Sequence, residues 1–223
     1  MDPNHKFWNN QQQALRQALL HPSDHPKAID LFMSQHAMVH SAAMSLMGLW
    51  SFEDEVWQGL TEIEIREIPS GGEHSIAWMF WHMTRIEDVT MNLLLAGSPQ
   101  LGDQDGWFIQ LTTPFRDTGN AMDRVDIAAL STTIDIDALR AYRIAVGRRT
   151  REIVKQSQHI ELKRKVDPNH LKRVLDEGAI VEGARGLLDY WGGLTHAGLL
   201  LMPPTRHNFI HLNEAQRIKQ KIR

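Results

Sequence analysis

The sequence predicts an all-α protein, a four-helix bundle with additional short helices and a long connection over residues 101–130. Three features carry that expectation. Apolar residues recur at three- and four-residue steps through several long stretches, most of those stretches are joined by modest connections, and only one short run alternates as a strand would. The four main helices are expected over residues 26–47, 75–96, 137–156 and 205–222, within a single domain spanning 1–223.

In chain order, a short helix is expected over 8–20. It stops at His21-Pro22-Ser23-Asp24, which also supplies start signals for the next helix. Residues 26–47 place Ile29, Phe32, Met33, His36, His40, Met44 and Met47 on one stripe, with Gly48 as the stop. Ser51 caps a short helix carrying Glu53 and Asp54 in its first turn, where negative charge meets the helix dipole. "TEIEIREI" alternates apolar and polar and reads as a short extended stretch, and "PSGGEHS" is a loop. "SIAWMFWHMTRIEDVTMNLLLAG" is the strongest helix: Ile76, Met79, Phe80, Met83, Ile86, Thr90, Leu93 and Leu94 form its inward face, and Gly97 ends it. Residues 101–130 are punctuated by Gly, Asp and Thr apart from a helical piece at 107–111; a connection of that length usually carries a lid, a pocket wall or an interface. Residues 137–156 are an amphipathic helix, and 166–176 hold a short one. "VEGARGLLDYWGGLTHAGLLLM" is helical but weakened by Gly192-Gly193. Pro203-Pro204 interrupts it, and Thr205 opens the terminal helix.

Composition narrows the chemistry. The 223 residues are 42% hydrophobic and 23% charged, an ordinary globular balance with enough apolar surface for a sizeable core. A formal charge of -3 offers no basic footprint for nucleic acid, and the cationic tail Arg217, Lys219, Lys221, Arg223 complements a helix C-terminus. The lack of cysteine excludes disulfides, thiolate-bound zinc, iron–sulfur clusters and a protein thiol nucleophile. No apolar run approaches the length of a membrane span, and residues 1–10 lack the apolar core of a signal peptide. No membrane partner and a cytoplasmic location are therefore expected.

Histidine is abundant, with twelve copies, so each needs a reason. His207 and His211 lie one turn apart on a face continued by Ile210, Glu214, Ile218 and Ile222. Facing inward, two imidazoles must be hydrogen-bonded or must share an ion, and the spacing puts two ring nitrogens within reach of one cation. The glutamate of the HExxH zinc motif is absent. A third ligand has to come from a facing helix. His82, flanked by Trp81 and Met83, is the best candidate; its alternative role is a core histidine bonded to a backbone carbonyl. His36 and His40 repeat the spacing on the first long helix and are expected to line the pocket. Trp78, Trp81 and Trp191 are core or boundary aromatics, with Trp78 closest to the pocket. His196 is expected to be structural, and His5, His21, His25, His159 and His170 sit in polar surroundings without an evident partner.

The segments "HSIAWMFWHMTRIEDVTMN" and "LLLMPPTRHNFIHLNEAQRIKQKI" resemble the DinB-like superfamily of bundle proteins, particularly its damage-inducible-type and thiol-transferase-related members. The resemblance follows element order over most of the chain, and its specific residues lie in these two segments. In that family one histidine on the second bundle helix, followed by an Arg-x-Glu-Asp stretch, joins two from an HxxxH on the fourth. Position by position these are His82, His207 and His211, with Arg85, Glu87 and Asp88 as the adjacent stretch. Where many relatives have His-x-Gly-Glu or His-x-Gly-Gln, this chain replaces the glycine with Asn213 and keeps Glu214.

The resemblance thus implies a divalent metal ion held by His82, His207 and His211. Three neutral imidazoles leave the ion its full charge and an open position, which suits zinc, nickel or iron. Such an ion lowers the pKa of a bound water or thiol. Glu214, one turn beyond His211, is the expected catalytic carboxylate or support for a ligand; its alternative is a surface pairing with Arg217 or Lys219. Arg85, Glu87, Asp88, His40 and Trp78 are placed behind the ligands or around the pocket. The implied activity is thiol-dependent S-transferase chemistry on a small-molecule substrate, with a low-molecular-weight thiol as co-substrate. That branch expects cations near the metal, for which Arg85 and Arg206 are available. A metal-dependent hydrolase using a metal-bound water is the runner-up, followed by a non-catalytic metal-binding or stress-response protein and a purely structural bundle. A homodimer is the assembly common to such bundles.

Overall fold

The computed structural model describes residues 2–21, 24–156 and 161–223. Pro22 and Ser23, in the expected break after the first helix, and His159 lie outside the described residues. Among the described residues there is no strand, only an isolated bridge between Lys165 and Thr195. The fold is all-α, a helix bundle with extra short helices and long loops.

Helix α1 (Pro3–Ala18) begins ahead of its apolar pattern because the Asp2 carboxylate accepts from the N–H groups of Asn4 and His5. Helix α2 (His25–Met38) stops well short of the expected residue 47. A longer helix would use the carbonyls of Val39 and His40; instead they accept from Arg143 Nη2 and Ser51 Oγ, each at 2.8 Å. Ser41 then caps a separate 3₁₀ turn, Ala42–Met44. Helix α3 (Phe52–Trp57) is capped by Ser51 as its sequence suggests. The alternating run that follows is a helix, α4 (Glu62–Arg66), not an extended stretch. Thr61 and Glu64 form a reciprocal capping box, and no neighbouring strand is present among the described residues to reward alternation.

Helix α5 (Ile76–Asp88) runs on into a π-helical segment, Val89–Ala96, and ends at Gly97 with φ 64. Every residue from Ile76 to Leu94 is buried, so this helix is the axis of the bundle, not an amphipathic member with one wet face. The 101–130 connection is more ordered than its punctuation suggests. It holds a 3₁₀ turn (Leu101–Asp103), α6 (Trp107–Gln110) and the start of α7 (Arg124–Thr133), which Asp123 caps through the N–H groups of Val125 and Asp126. Then come α8 (Ile136–Gln156), α9 (Pro168–Asp176), a 3₁₀ turn (Glu182–Ala184), α10 (Gly186–Gly193) and α11 (His196–Leu201). A second π-helical segment, Met202–His207, joins α11 to α12 (Asn208–Ile222) without a break.

Helices α8 and α12, with the π-helical segment ahead of α12, pack on α5, while α2 packs on α8 and that segment and reaches α5 through His36 and Glu87. Trp81, Phe80, Tyr142, Val146, Leu212 and Ala215 form one apolar core between α5, α8 and α12. No helix among the described residues is long and apolar enough to cross a membrane.

Candidate metal centre

His82 sits in the middle of α5, buried to 3% exposure. Ser75 starts that helix by accepting from the Trp78 N–H at 3.0 Å. The His82 ring stacks on Trp78, with centroids 4.8 Å apart and planes within 8°. Its Nδ1 donates to the Thr118 carbonyl at 2.7 Å, which fixes both the ring plane and the tautomer. A carbonyl can only accept, so Nδ1 carries the proton and Nε2 is a bare lone pair. The segment that offers Thr118 is tied to α5 a second time, through Arg85, whose Nε and Nη2 donate to the Arg116 carbonyl at 3.0 and 2.8 Å.

The other two histidines arrive through the π-helical segment. Pro203 and Pro204 lack the N–H groups that an α-helix would direct to the carbonyls of Leu199 and Leu200. The Thr205 hydroxyl answers this locally, donating to Leu200 O at 3.1 Å and Leu201 O at 2.9 Å, and Gln12 Nε2 from α1 adds a second donor to Leu201 O at 2.9 Å. The prolines therefore widen the helix without stopping it, and Thr205 is an internal brace instead of a cap. His207, the last residue of that segment, and His211, one turn on, face α5 together. His211 Nδ1 lies 2.6 Å from Glu214 Oε2, an acceptor-only group that holds the proton on Nδ1 and turns Nε2 inward.

The three Nε2 atoms converge. His207 Nε2 is 3.1 Å from His82 Nε2 and 3.1 Å from His211 Nε2. Metal–nitrogen bonds of about 2.0–2.1 Å set neighbouring donors about 3.0–3.4 Å apart in tetrahedral or octahedral geometry, so the spacing fits one ion. Proton accounting points the same way. With His82 and His211 protonated on Nδ1, a single proton on His207 Nε2 satisfies only one of its two neighbours, leaving lone pairs opposed. Burial, and then the nearby His211, bring His82 down to about 3; burial and the same neighbours hold His207 well below its ordinary range. Neutral rings with inward lone pairs are what a divalent cation requires. His207 Nδ1 is buried without a partner among the described residues.

A cavity of about 420 Å³ opens beside the triad. Trp78, Ile86, Met122, Leu187, Tyr190 and Trp191 give it an apolar wall, with His74 and Asn120 as the polar exceptions. His74 joins the site without having been expected from the sequence. It stacks on Trp78 at 3.8 Å and borders both this cavity and a neighbouring groove lined by Glu73, Glu214, Arg217 and Lys221. Its signal was available in the four-residue steps from His74 to Trp78 to His82, which stack three rings on one face.

The remaining expected site residues are placed elsewhere. Arg85 does not reach the cavity; it donates to Asp88 at 2.9 Å, Tyr142 at 2.7 Å and Gln100 at 2.5 Å. Asp88 also accepts from the N–H groups of Leu101 and Gly102. The pair therefore fastens the 101–130 connection to the axial helix. Arg206 lines a separate groove with Trp8, Gln12 and Arg16. His40 is not a wall of the cavity either: with His36 it meets Glu87 in the bundle interior, at 2.9 and 2.8 Å. These three form a second group whose ligand-type atoms lie within 4.8 Å of one another, as those of the triad do. Its hydrogen bonding is the reverse of the triad's. Nδ1 of His36 and of His40 finds no partner among the described residues, and each Nε2 points at a carboxylate oxygen. Those protons belong on Nε2, so the group is a hydrogen-bonded cluster before it is a metal site.

No curated protein matches the chain. The model of the DinB superfamily matches residues 53–181, more than half of the chain, including His82 and the Arg85–Asp88 stretch but stopping short of His207 and His211. With the axial helix carrying His82 inside the matched segment, and with the all-α bundle built around it, the chain belongs to the DinB superfamily.

Proposed function

We propose that this protein is a metal-dependent enzyme that activates a low-molecular-weight thiol for transfer to an apolar small molecule held in the adjoining cavity. The observation that carries the reading is the convergence of three inward Nε2 lone pairs on the wall of an apolar cavity. A divalent ion held by those nitrogens supplies Lewis acidity to a thiol or a water beside it. Trp78, Trp191, Ile86 and Leu187 bind the apolar substrate by burying its surface. His74, whose ring makes no hydrogen bond to another described residue, accepts the proton released as the S–H bond breaks. The sulfur then forms its bond to the electrophilic carbon, the leaving group departs with the bonding electron pair, and His74 returns the proton to it.

No lysine or arginine lines the cavity among the described residues, so the carboxylates of a thiol co-substrate have no partner there. Arg217 and Lys221 stand in the neighbouring groove, which shares His74, Trp78 and His211 with the cavity, and supply that partner from the other side of the wall. A hydrolase is the second reading, favoured by the same free His74 acting on water.

The test is metal analysis of tag-free protein purified without chelator, beside a His82→Ala/His207→Ala/His211→Ala variant, followed by assays with thiols and apolar electrophiles. Near-stoichiometric zinc, nickel or iron that is lost in the variant, together with metal- and thiol-dependent consumption of the electrophile, is the expected result. Equal metal content in both proteins would sink the site. Turnover that is indifferent to thiol would favour the hydrolase.

A further inference from the structure

Among the described residues, three carboxylates are buried in the bundle around the axial helix: Glu53, Asp88 and Glu87. Two have a guanidinium, Glu53 with Arg143 at 2.5 Å and Asp88 with Arg85 at 2.9 Å. Glu87, which has no exposure to solvent, has no lysine or arginine partner among the described residues. Its Oε1 accepts from His36 Nε2 and Thr150 Oγ1, both at 2.8 Å, and its Oε2 from His40 Nε2 at 2.9 Å and Asn208 Nδ2 at 2.7 Å. Burial raises the pKa of Glu87, but the two imidazoles outweigh it and hold the carboxyl well below its usual range. Burial keeps the rings neutral, with His40 brought down to about 3. Four neutral donors thus occupy the four lone-pair directions of an anion. They solvate the charge without cancelling it, and an uncancelled charge in a low-dielectric interior is costly. Arg143 lies nearby with its charge committed to Glu53, and Arg151 is turned to the Met33 carbonyl.

The missing cation has an obvious place. Glu87 follows His82 by five residues on α5, and its partner Asn208 directly follows His207. The same two helical runs meet at 3.1 Å through His82 and His207 and at 2.7 Å through Glu87 and Asn208.

We infer that Glu87 is the buried counter-charge of the metal centre: its carboxylate strengthens divalent-cation binding at His82, His207 and His211, and the cation offsets the cost of burying Glu87. The inference rests on the metal-site reading above but not on any activity. Glu87 touches none of the three ligands, so it is an electrostatic positioning residue, reaching the site through Asn208 and the field of its charge.

Zinc(II) alone is a sufficient probe, with its dissociation constant read by competition against a chromophoric chelator and its stabilising effect read as the rise in Tm. Four proteins are compared: the unaltered chain, His211→Ala, Glu87→Gln, and the triple variant His36→Met/His40→Leu/Glu87→Met. The triple variant replaces the cluster with apolar side chains and leaves no imidazole unpaired, so it keeps the charge test available if Glu87→Gln alone fails to fold. Expected are one zinc per unaltered chain, none in His211→Ala, and about tenfold weaker binding in both Glu87 variants, with a smaller zinc-induced rise in Tm. Glu87→Asp, which keeps the charge, should restore most of the affinity. A structural role alone would lower the Tm of metal-free and zinc-loaded protein alike and leave the dissociation constant unchanged, which would overturn the inference. Loss of a second zinc equivalent with the first unaffected would also overturn it, by making His36, His40 and Glu87 a metal site themselves. If the unaltered chain took up no zinc, the metal-site reading would fall, and this inference with it.

Discussion

Glu214 stands behind His211 at 2.6 Å, on the side away from the cavity, with its side chain partly open to the groove that holds Arg217 and Lys221. A carboxylate in that position sets the tautomer of a ligand and raises its basicity. Glu214→Gln keeps an acceptor for the Nδ1 proton but removes the charge, so it should retain metal with about tenfold lower affinity, measurable by chelator competition. Complete loss of metal would instead make Glu214 a ligand. The sequence could supply His207, His211 and His82 because spacing and resemblance both bear on them. It could not place Arg85 or Glu87, because a residue's distance from His82 along a helix does not say which way its side chain turns once the helix is buried on all sides. Arg85, three residues from His82, turns to the Asp88–Tyr142 network; Glu87, five residues away, turns to His36 and His40. His74 differs from these: its four-residue step to Trp78 is visible in the sequence, but it precedes the helix, in a loop, so that step gains meaning only when the folded stack puts it on one face with Trp78 and His82.

The elements divide in the same way, according to whether the controlling interaction is local. Ser51 capping α3 and Gly97 ending the axial helix were readable because each acts within a few residues. The early stop of α2 depends on Arg143 and Ser51 reaching the carbonyls of Val39 and His40, just past its end, from distant elements, which no periodicity reveals. Helix α7 presents only a short apolar stripe around Ile127 and Leu130, too little to stand out from its Thr- and Asp-rich surroundings. The Pro203–Pro204 junction is the most consequential case, because the helix it was expected to break instead widens and carries on, aiming both histidines of the terminal run at α5. The Thr205 hydroxyl is central to that outcome. Thr205→Val keeps the shape but leaves the buried Leu200 carbonyl without its donor, so urea unfolding should show a loss of about 1–3 kcal/mol. Metal affinity should fall with it, because the register of His207 depends on the same segment. A variant of unchanged stability would show that the π-helical run does not need this brace.

Across the whole molecule, the bundle buries the imidazoles of His36, His40 and His82 and partly buries that of His207. His36, His40, His82 and His207 all have their pKa values lowered by burial, His40 and His82 to about 3. The unfolded chain takes up protons on these rings near the ordinary value of 6.5, whereas the metal-free folded chain resists them. Folded-state stability is therefore fully present above that value and drains away as pH falls from 6.5 towards 3, by up to about 1.4 kcal/mol per pH unit for each ring. Glu87 acts in the same direction only at the acid end: its lowered pKa contributes stability above 4.5 that is lost as pH falls through its folded value. A bound ion should sharpen the dependence, since it is held by neutral rings and competes with the same protons. Urea unfolding of metal-free protein between pH 7 and 4.5 is the direct check. Near pH 5.5 the pH dependence of the unfolding free energy should correspond to the uptake of at least about two protons per chain on unfolding, from His40 and His82, with His36 and His207 adding to it. An uptake below about two would mean that some of these rings are already charged inside the fold. The proton accounting that supports a cation at the triad, and the proposed role of Glu87 as its counter-charge, would then have to be revised together.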